Sequence, residues 1–154
     1  MTVRVPRQGS RGTAFPRFLG RTSRIVAWLF RRGIGRSIAG LPTLVLETRG
    51  AKSGHRRQAL LGYLADPPDT WLLIASMGGA TYNPGWLHNL AHDPDATIEL
   101  AGGDRIPVRA ETLEGPELEA AWRRIGTESA QYADYRTKTD REIAVIRLRR
   151  RQDA

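Results

Sequence analysis

A short basic loop carries the residue types best suited to chemistry in this 154-residue sequence. Lys52, Arg56 and Arg57 lie within a six-residue stretch, and Ser53 adds a hydroxyl donor. The loop Arg49–Gly54 reads RGAKSG, and its glycines let backbone N–H groups approach a ligand closely. Such a loop suits a phosphate or a carboxylate. A solvated hairpin turn with ordinary surface cations remains the alternative, because basic turns are common.

Two further features could bring backbone donors to the same anion. A Gly78–Gly79 turn ends an apolar run, and Pro84 opens a short helix, where the N–H that proline lacks costs nothing. The Lys-Ser pair is not a Walker P-loop, because the preceding Gly-x-x-x-x-Gly frame is missing. His88 and His92 have the i, i+4 spacing of zinc ligands, but no Glu follows the first His. The sequence therefore predicts no metal site.

The elements that must position these groups read as short strands joined by turns. Apolar or alternating runs predict strands over Thr43–Thr48, Gln58–Leu64, Trp71–Ser76, Ala96–Ala101, Arg105–Thr112 and Ile143–Leu148. Helices are predicted over Pro84–His92, Pro116–Ile125 and Ser129–Thr139. Because short turns rather than long helices join the strands, the pattern favours a mainly β antiparallel barrel over a doubly wound sheet.

Positive charge is concentrated at the start of the chain. The formal net charge is +8, yet residues 1–46 hold nine Arg and no acidic residue, so the remainder sums to −1. Residues 1–14 are polar and rich in Gly and Arg, which predicts a disordered basic tail. Phe15–Arg32 predicts an amphipathic helix within an N-terminal segment of residues 15–36, ahead of a barrel domain over residues 37–150.

The N-terminal helix leaves two interpretations open. A basic amphipathic helix can lie on an anionic membrane, or it can pack on its own barrel with a solvated Arg face. The absence of Cys and of a run long enough to span a bilayer predicts a cytoplasmic protein, with peripheral contact at the inner face of the cell membrane as a possibility. No nucleic-acid module is recognisable, so no nucleic-acid partner is predicted.

Several motifs resemble one known family. They are Leu41–Arg57 (LPTLVLETRGAKSGHRR), Ile74–Gly79 (IASMGG), Asn83–Leu90 (NPGWLHNL) and Tyr132–Val145 (YADYRTKTDREIAV). Together they are similar to the deazaflavin-dependent nitroreductases, the coenzyme F420-dependent oxidoreductases of actinobacteria. The resemblance implies a split β-barrel of the flavin-reductase type. It also implies hydride transfer from the reduced coenzyme to a quinone, an enone or a nitro compound.

The resemblance assigns the coenzyme's anionic tail and its ring to separate segments. The tail, with its phosphodiester and glutamate chain, would meet a cationic loop made of Thr48, Arg49, Gly50, Ala51, Lys52, Ser53, Gly54, His55, Arg56 and Arg57. The ring would meet a turn made of Ala75, Ser76, Met77, Gly78 and Gly79. The helix beside the coenzyme carries Trp86, His88 and Asn89.

Catalytic roles follow from the resemblance as well. Tyr132 and Tyr135 match a tyrosine-bearing helix over the ring, where a hydroxyl can bind or protonate the acceptor, and Ser76 is the matching polar residue of the turn. Tyr132 is the expected principal donor. Ser129 stands where the best-known nitroreductase pattern has a third Tyr, which weakens the case for nitroimidazole reduction.

Other functional interpretations remain open at this stage. An FMN-dependent reductase of the same fold is the alternative among enzymes, and a non-catalytic protein that binds the coenzyme or a membrane surface is the alternative outside them. Split barrels are found as monomers and as homodimers, and the sequence does not decide between the two.

Overall fold

The fold is described from a computed structural model for residues 2–14 and 25–152. The strands are β1 (Ser37–Ile38), β2 (Leu41–Arg49), β3 (Arg56–Ala65), β4 (Thr70–Ile74), β5 (Asp95–Glu99), β6 (Arg105–Thr112) and β7 (Val145–Arg150). The helices are α1 (Ile25–Arg31), α2 (Gly85–His92), α3 (Gly115–Glu128) and α4 (Ala130–Tyr135), and a single-turn 3-10 helix covers Met77–Gly79.

Six antiparallel strands close into a barrel. Their order is β2-β3-β4-β7-β6-β5, and pairing of β2 with β5 completes the ring, while the two-residue β1 adds to β2 outside it. The β2–β3 hairpin is paired as far as Arg49 and Arg56, so residues 50–55 form its tip. The predicted mainly β antiparallel barrel with flanking helices is confirmed.

The strand pattern explains how one barrel supports three apolar clusters. Leu44 and Leu46 of β2 point into the barrel, while Val45 between them points outward to α1. On β4, Leu73 points inward, while Leu72 and Ile74 on either side of it point outward and pack under α3 and α4. Because side chains alternate between the two faces of a strand, both faces of these strands are covered. This coverage explains why β2 and β4 read as continuous apolar runs.

The N-terminal arm, residues 2–14, differs from the disordered tail that the sequence predicts. Val3 is buried with the barrel core, and Arg4 makes ion pairs with Glu114 and Glu142 at 3.0 and 2.8 Å. The backbone N–H of Gly9 donates to Thr81 O at 2.7 Å. Polar composition predicted disorder, but partners more than sixty residues away supply the hydrogen bonds that order this arm.

Helix α1 is the described part of the predicted N-terminal helix. The earlier part of that prediction, residues 15–24, lies outside the described residues, and α1 ends at Arg31, short of the predicted end. Ala27 and Phe30 pack on Val45, and Arg31 pairs with the buried Glu99 at 2.8 Å. Across the two described ranges, no helix has the length and apolar character needed to cross a membrane.

Candidate functional site

The basic loop is a tight hairpin tip whose glycines are required by its geometry. Gly50 N–H donates to His55 O at 2.7 Å, and Gly54 N–H donates to Gly50 O at 2.9 Å. Gly54 has φ +73°, which favours glycine, and a Cβ on Gly50 would lie only 2.8 Å from Ser53 Oγ. The turn predicted from the sequence is therefore present, with its backbone folded on itself at residues 50–55.

Three cations of this loop have no acidic partner among the described residues. Lys52 and Arg57 are exposed, and within the described chain no carboxylate forms an ion pair with Arg49, Lys52 or Arg57. Arg57 Nη2 donates to Ser53 Oγ at 3.4 Å, whereas Arg56 lies 3.8 Å from Glu47. Side-chain cations left without carboxylates are available to an anionic ligand.

Helix α2 contacts the basic loop and follows the glycine turn (Ser76–Gly79) in the chain. Asn89 Oδ1 accepts from Ala51 N–H at 3.0 Å, and Asn89 Nδ2 donates to Thr48 Oγ1 at 3.0 Å. The helix begins at Gly85 after Pro84, its N-terminal flanking residue, and residues 80–84 connect it to the turn. Asn89 is four residues further on, which places its contact with the loop about 6 Å along the helix axis from Gly85.

The remaining predicted residues of α2 lie on different faces. Trp86 is 6% exposed and belongs to the barrel core, so it supports the helix rather than lining an open groove. His88 is exposed. The sequence grouped Trp86, His88 and Asn89 as one coenzyme-facing set, but the structure brings only Asn89 to the basic loop.

The glycine turn has a conformation suited to binding electron-rich groups. The backbone of Ser76 has the right-handed helical conformation, at φ −76° and ψ −37°, and Met77 follows in the left-handed region at φ +47°. Gly78 and Gly79 continue at φ +64° and +83°. A right-handed residue followed by a left-handed one turns successive N–H groups toward one side and forms a concavity for anions. Left-handed Met77 is strained, as residues at ligand-binding turns often are.

Arg141 holds this turn from the protein interior, a role that sequence reasoning missed. The side chain is 3% exposed and donates to Ala75 O at 3.0 Å, to Ser76 O at 2.7 Å and to Ala80 O at 2.9 Å. Burial lowers the pKa of the Arg141 guanidinium below its usual value, and arginine stays charged even so. The available signal was its parity with Ile143 and Val145, which places Arg141 on a buried face of the extended segment.

The two candidate tyrosines are neighbours but have different surroundings. Their rings meet edge to face, with centroids 5.7 Å apart. Tyr132 is buried and forms a hydrogen bond with the backbone of Gly62, and burial raises the pKa of Tyr132 to about 12. Tyr135 is half-buried and accepts from Gln131 Nε2 at 2.6 Å, so its own O–H proton is free to be donated. Tyr135 is therefore the more accessible of the two side chains.

Helix α4 lies against the glycine turn. A Cβ on Gly79 would lie 3.2 Å from both the carbonyl oxygen of Tyr135 and the Cβ of Lys138. The helix ends at Tyr135 rather than at the predicted Thr139, and hydrogen-bonded turns continue to Lys138. The backbone of Tyr135 is thereby placed beside Gly79 of that turn.

Ser129 has a structural role where the nitroreductase pattern has a tyrosine. Its Oγ accepts from Tyr132 N–H at 3.3 Å, which caps the start of α4, and donates to Ala39 O at 2.6 Å. The residue is 5% exposed. A hydroxyl that both caps α4 and ties it to the β1–β2 turn accounts for serine at this position.

A separate surface cavity lies on the arm side of Arg141. Its volume is about 400 Å³, and it is lined by Arg4, Arg7, Gln8, Gly9, Ser10, Asp140, Arg141 and Glu142. It includes no residue of the basic loop or of the glycine turn. In the described part of the chain, no group of three or more His, Asp or Glu side chains could hold a metal ion.

Comparison with known proteins gives consistent matches over most of the chain. A family model described as F420H(2)-dependent quinone reductase matches residues 22–149. A Mycobacterium tuberculosis protein named F420H(2)-dependent quinone reductase is 38% identical over 122 residues, which cover 77% of this chain and 80% of that protein.

Solved structures match the fold as well. A structure described as an F420-H2 dependent reductase (FDR-A) superposes with a TM-score of 0.63 at 32% identity, covering 70% of this chain and 93% of the other. A second, described as a domain-swapped dimer, superposes with a TM-score of 0.64 at 30% identity, covering 81% of this chain and 91% of the other.

Proposed function

The chain belongs to the F420H(2)-dependent quinone reductase family, and we propose that its basic loop, its glycine turn and α2 form the groove for the reduced coenzyme. The observation that carries this proposal is that α2 is linked to two anion-suited features. Asn89 fixes the loop against the middle of α2, and the turn precedes α2 in the chain by five residues. The enzyme is an oxidoreductase, as its family membership states.

The basic loop is assigned to the anionic tail of the coenzyme. Lys52 and Arg57 lack acidic partners in the described chain, so their charged groups are available to a ligand, whereas the N–H groups of Gly50 and Gly54 are bonded within the loop. Charge-assisted hydrogen bonds to phosphate and carboxylate oxygens are about twice as strong as neutral ones. This loop fits a phosphodiester with a glutamate chain better than it fits a neutral ligand.

The glycine turn and Tyr135 are assigned to the reacting end. When bound, the reduced deazaflavin supplies a hydride. The backbone N–H groups of Ser76–Gly78 would hold the ring, because such donors suit carbonyl oxygens.

The acceptor is assigned as a quinone, with Tyr135 beside it. A quinone oxygen gains negative charge as it accepts hydride, and a preplaced hydroxyl stabilises that charge more than it stabilises the starting state. Tyr135 accepts from Gln131 and so has its O–H proton available, and its backbone carbonyl lies next to Gly79 of the glycine turn. Enones and nitro compounds gain charge on oxygen in the same way, so we expect slower but measurable turnover with them.

Turnover measurements test this proposal. Purified protein with reduced deazaflavin, without oxygen, is expected to oxidise the coenzyme fastest with quinones, followed by absorbance. Reduced FMN in place of deazaflavin is expected to give at least tenfold less, and the similarities to known proteins give an FMN-dependent activity no support. If the coenzyme is oxidised no faster than in buffer across quinones, enones and nitroarenes, the protein is a binder and not an enzyme.

We further propose that α1 and the turn that follows it as far as Ile34 contact anionic membrane surfaces. Trp28 is 50% exposed and Ile34 55% exposed, and the guanidinium of Arg32 lies 4.5 Å from the centre of the Trp28 ring. Exposed aromatic and aliphatic side chains beside cations suit an interface with anionic lipid. The opposite side of α1 is packed on the barrel, so the helix would bind without leaving it.

Vesicle sedimentation checks the membrane proposal. The full-length protein is expected to sediment with vesicles that contain anionic lipid and to be released by high salt. A variant with Trp28→Ser and Ile34→Ser should stay in the supernatant, because both changes lie on the exposed side and leave Phe30 packed. Equal sedimentation of the two proteins, or none of either, would leave α1 as a helix that only packs on its barrel.

A further inference from the structure

The buried charge of Arg141 is not explained by packing alone. Its four hydrogen-bond partners are the carbonyls of Ala75, Ser76 and Ala80 and the amide oxygen of Asn83, and all are neutral. Among residues 2–14 and 25–152, no carboxylate pairs with it. Its neighbour Asp140 is bonded to Ser10. Removing a charge from water without an opposite charge costs several kcal/mol, so an apolar residue would stabilise the fold better if space-filling were the only need.

Arg141 and the N-terminal arm together engage the carbonyl groups of the whole turn. Arg141 binds the carbonyls at positions 75, 76 and 80, and Met77 O accepts from Ala80 N–H at 3.1 Å. Thr13 binds the other two, its Oγ1 donating to Gly78 O at 2.8 Å and its N–H to Gly79 O at 2.9 Å. With every carbonyl from 75 to 80 bonded inside the protein, a ligand on the open side meets chiefly N–H donors.

We propose that Arg141 is a positioning residue that holds the Ser76–Ala80 turn in its coenzyme-binding conformation and keeps a permanent positive charge behind it. The proposal rests on the proposed function, because it takes the turn as the seat of the deazaflavin ring. The three carbonyl bonds offset the strain of left-handed Met77. The positive charge of Arg141, on the interior side of the turn, favours binding of an electron-rich ring to the opposite, open side.

Two substitutions separate the shape of the guanidinium from its charge. Arg141→Lys keeps a cation but cannot bond all four oxygens at once, and Arg141→Met removes both charge and donors. In the protein without coenzyme, amide hydrogen exchange of the peptide covering Ala75–Thr81 is expected to be at least about tenfold faster in Arg141→Met, because the turn opens locally. Arg141→Lys should show a smaller increase in the same peptide.

Coenzyme binding supplies the second readout. We expect the deazaflavin Kd to rise about thirtyfold in Arg141→Met and about threefold in Arg141→Lys, in line with losing several charge-assisted bonds or only some of them. Arg4→Met is the matched control, since Arg4 anchors the same arm through Glu114 and Glu142 without touching the turn. It should lower thermal stability while leaving the exchange of Ala75–Thr81 and the deazaflavin Kd within about twofold of wild type.

The results with the Arg141 variants can be distinguished from a failure of the proposed function. The exchange measurement needs no coenzyme, so it tests whether Arg141 holds the turn in place even if wild-type protein fails to bind deazaflavin. If Arg141→Met does not fold, Arg141→Lys decides, with faster exchange in the turn at near wild-type melting temperature as the supporting result. Unchanged exchange in the turn together with a Kd within twofold of wild type would overturn the positioning role. Equal loss of binding in Arg4→Met would assign the effect to the arm instead.

Discussion

Arg57→Ala and Lys52→Ala are each expected to weaken deazaflavin binding by about 1.5–3 kcal/mol, the range for a lost hydrogen bond to a charged group. That range corresponds to roughly a ten- to 150-fold increase in Kd. Both side chains are exposed turn cations without acidic partners among the described residues, so their removal leaves no buried group unsatisfied. The melting temperature should therefore stay near that of wild type, while fluorescence titration of the coenzyme reports the loss.

A matched control distinguishes local contacts from net charge. Arg150→Ala removes the same charge from the end of β7, where Arg150 pairs at 3.0 Å with Asp69 in the β3–β4 turn, at the opposite end of the ten-residue β3 from the basic loop. Its effect on coenzyme affinity should be less than about twofold, because exposed charges beyond roughly 10 Å are largely screened at 0.1 M salt. If all three variants bind alike, or if Arg57→Ala and Lys52→Ala both bind as wild type does, the loop is an ordinary solvated turn.

Tyr135→Phe is expected to lower turnover with a quinone by about ten- to a hundredfold, the effect of removing one positioned proton donor. Coenzyme affinity should change little, since the hydroxyl is assigned to the acceptor. Tyr132→Phe, the closest comparison, should lower turnover less and thermal stability more. Its hydroxyl is buried against Gly62 and is not available to an acceptor.

The relative sizes of these two effects decide which tyrosine acts. The measurement is steady-state oxidation of the reduced coenzyme at saturating deazaflavin, so that kcat and the KM for quinone are obtained separately. A larger kcat loss in Tyr132→Phe than in Tyr135→Phe would return the donor role to Tyr132, as the sequence alone suggested. Full activity in both variants would remove tyrosine from the chemistry.

The barrel and the basic loop could be predicted because their signals are local. Alternation in Arg105–Thr112 predicted β6 with its observed bounds, since a half-buried strand has period two. Glycines on both sides of Lys52 and Ser53 predicted a tight turn, and the hairpin tip at residues 50–55 follows. The strands of both segments read correctly because packing and local pattern agree there.

The hydrogen bonds that hold the glycine turn could not be predicted, because their donors and acceptors are far apart in sequence. Arg141 and Ser76 are separated by 65 positions, and Thr13 and Gly78 are also separated by 65. No periodicity links such residues, and an arginine before an apolar strand reads as a surface cation. The arm of residues 2–14 was misjudged for the same reason, since polar composition describes a segment alone and not the partners it meets.

The burial of Tyr132 could not be predicted from the helical spacing of the two tyrosines. Residues three apart share a helix face, which predicted that Tyr132 and Tyr135 point the same way, and their rings are in contact as expected. Their depth differs because Ser129 ties the start of α4 to Ala39, so Tyr132 is pressed onto Gly62 while Tyr135 lies near the exposed end. A sequence pattern gives the face of a residue but not its depth below the surface.

The measurement that tests the central claim most directly is amide hydrogen exchange of wild-type protein with and without deazaflavin. The account predicts slower exchange in peptides covering Arg49–Arg57 and Ala75–Ala80 on coenzyme addition, with no change in β6 and none with FMN at the same concentration. Slower exchange at the separate cavity, residues 4–10 and 140–142 alone, would contradict the account, and so would coenzyme binding that leaves both predicted segments unchanged.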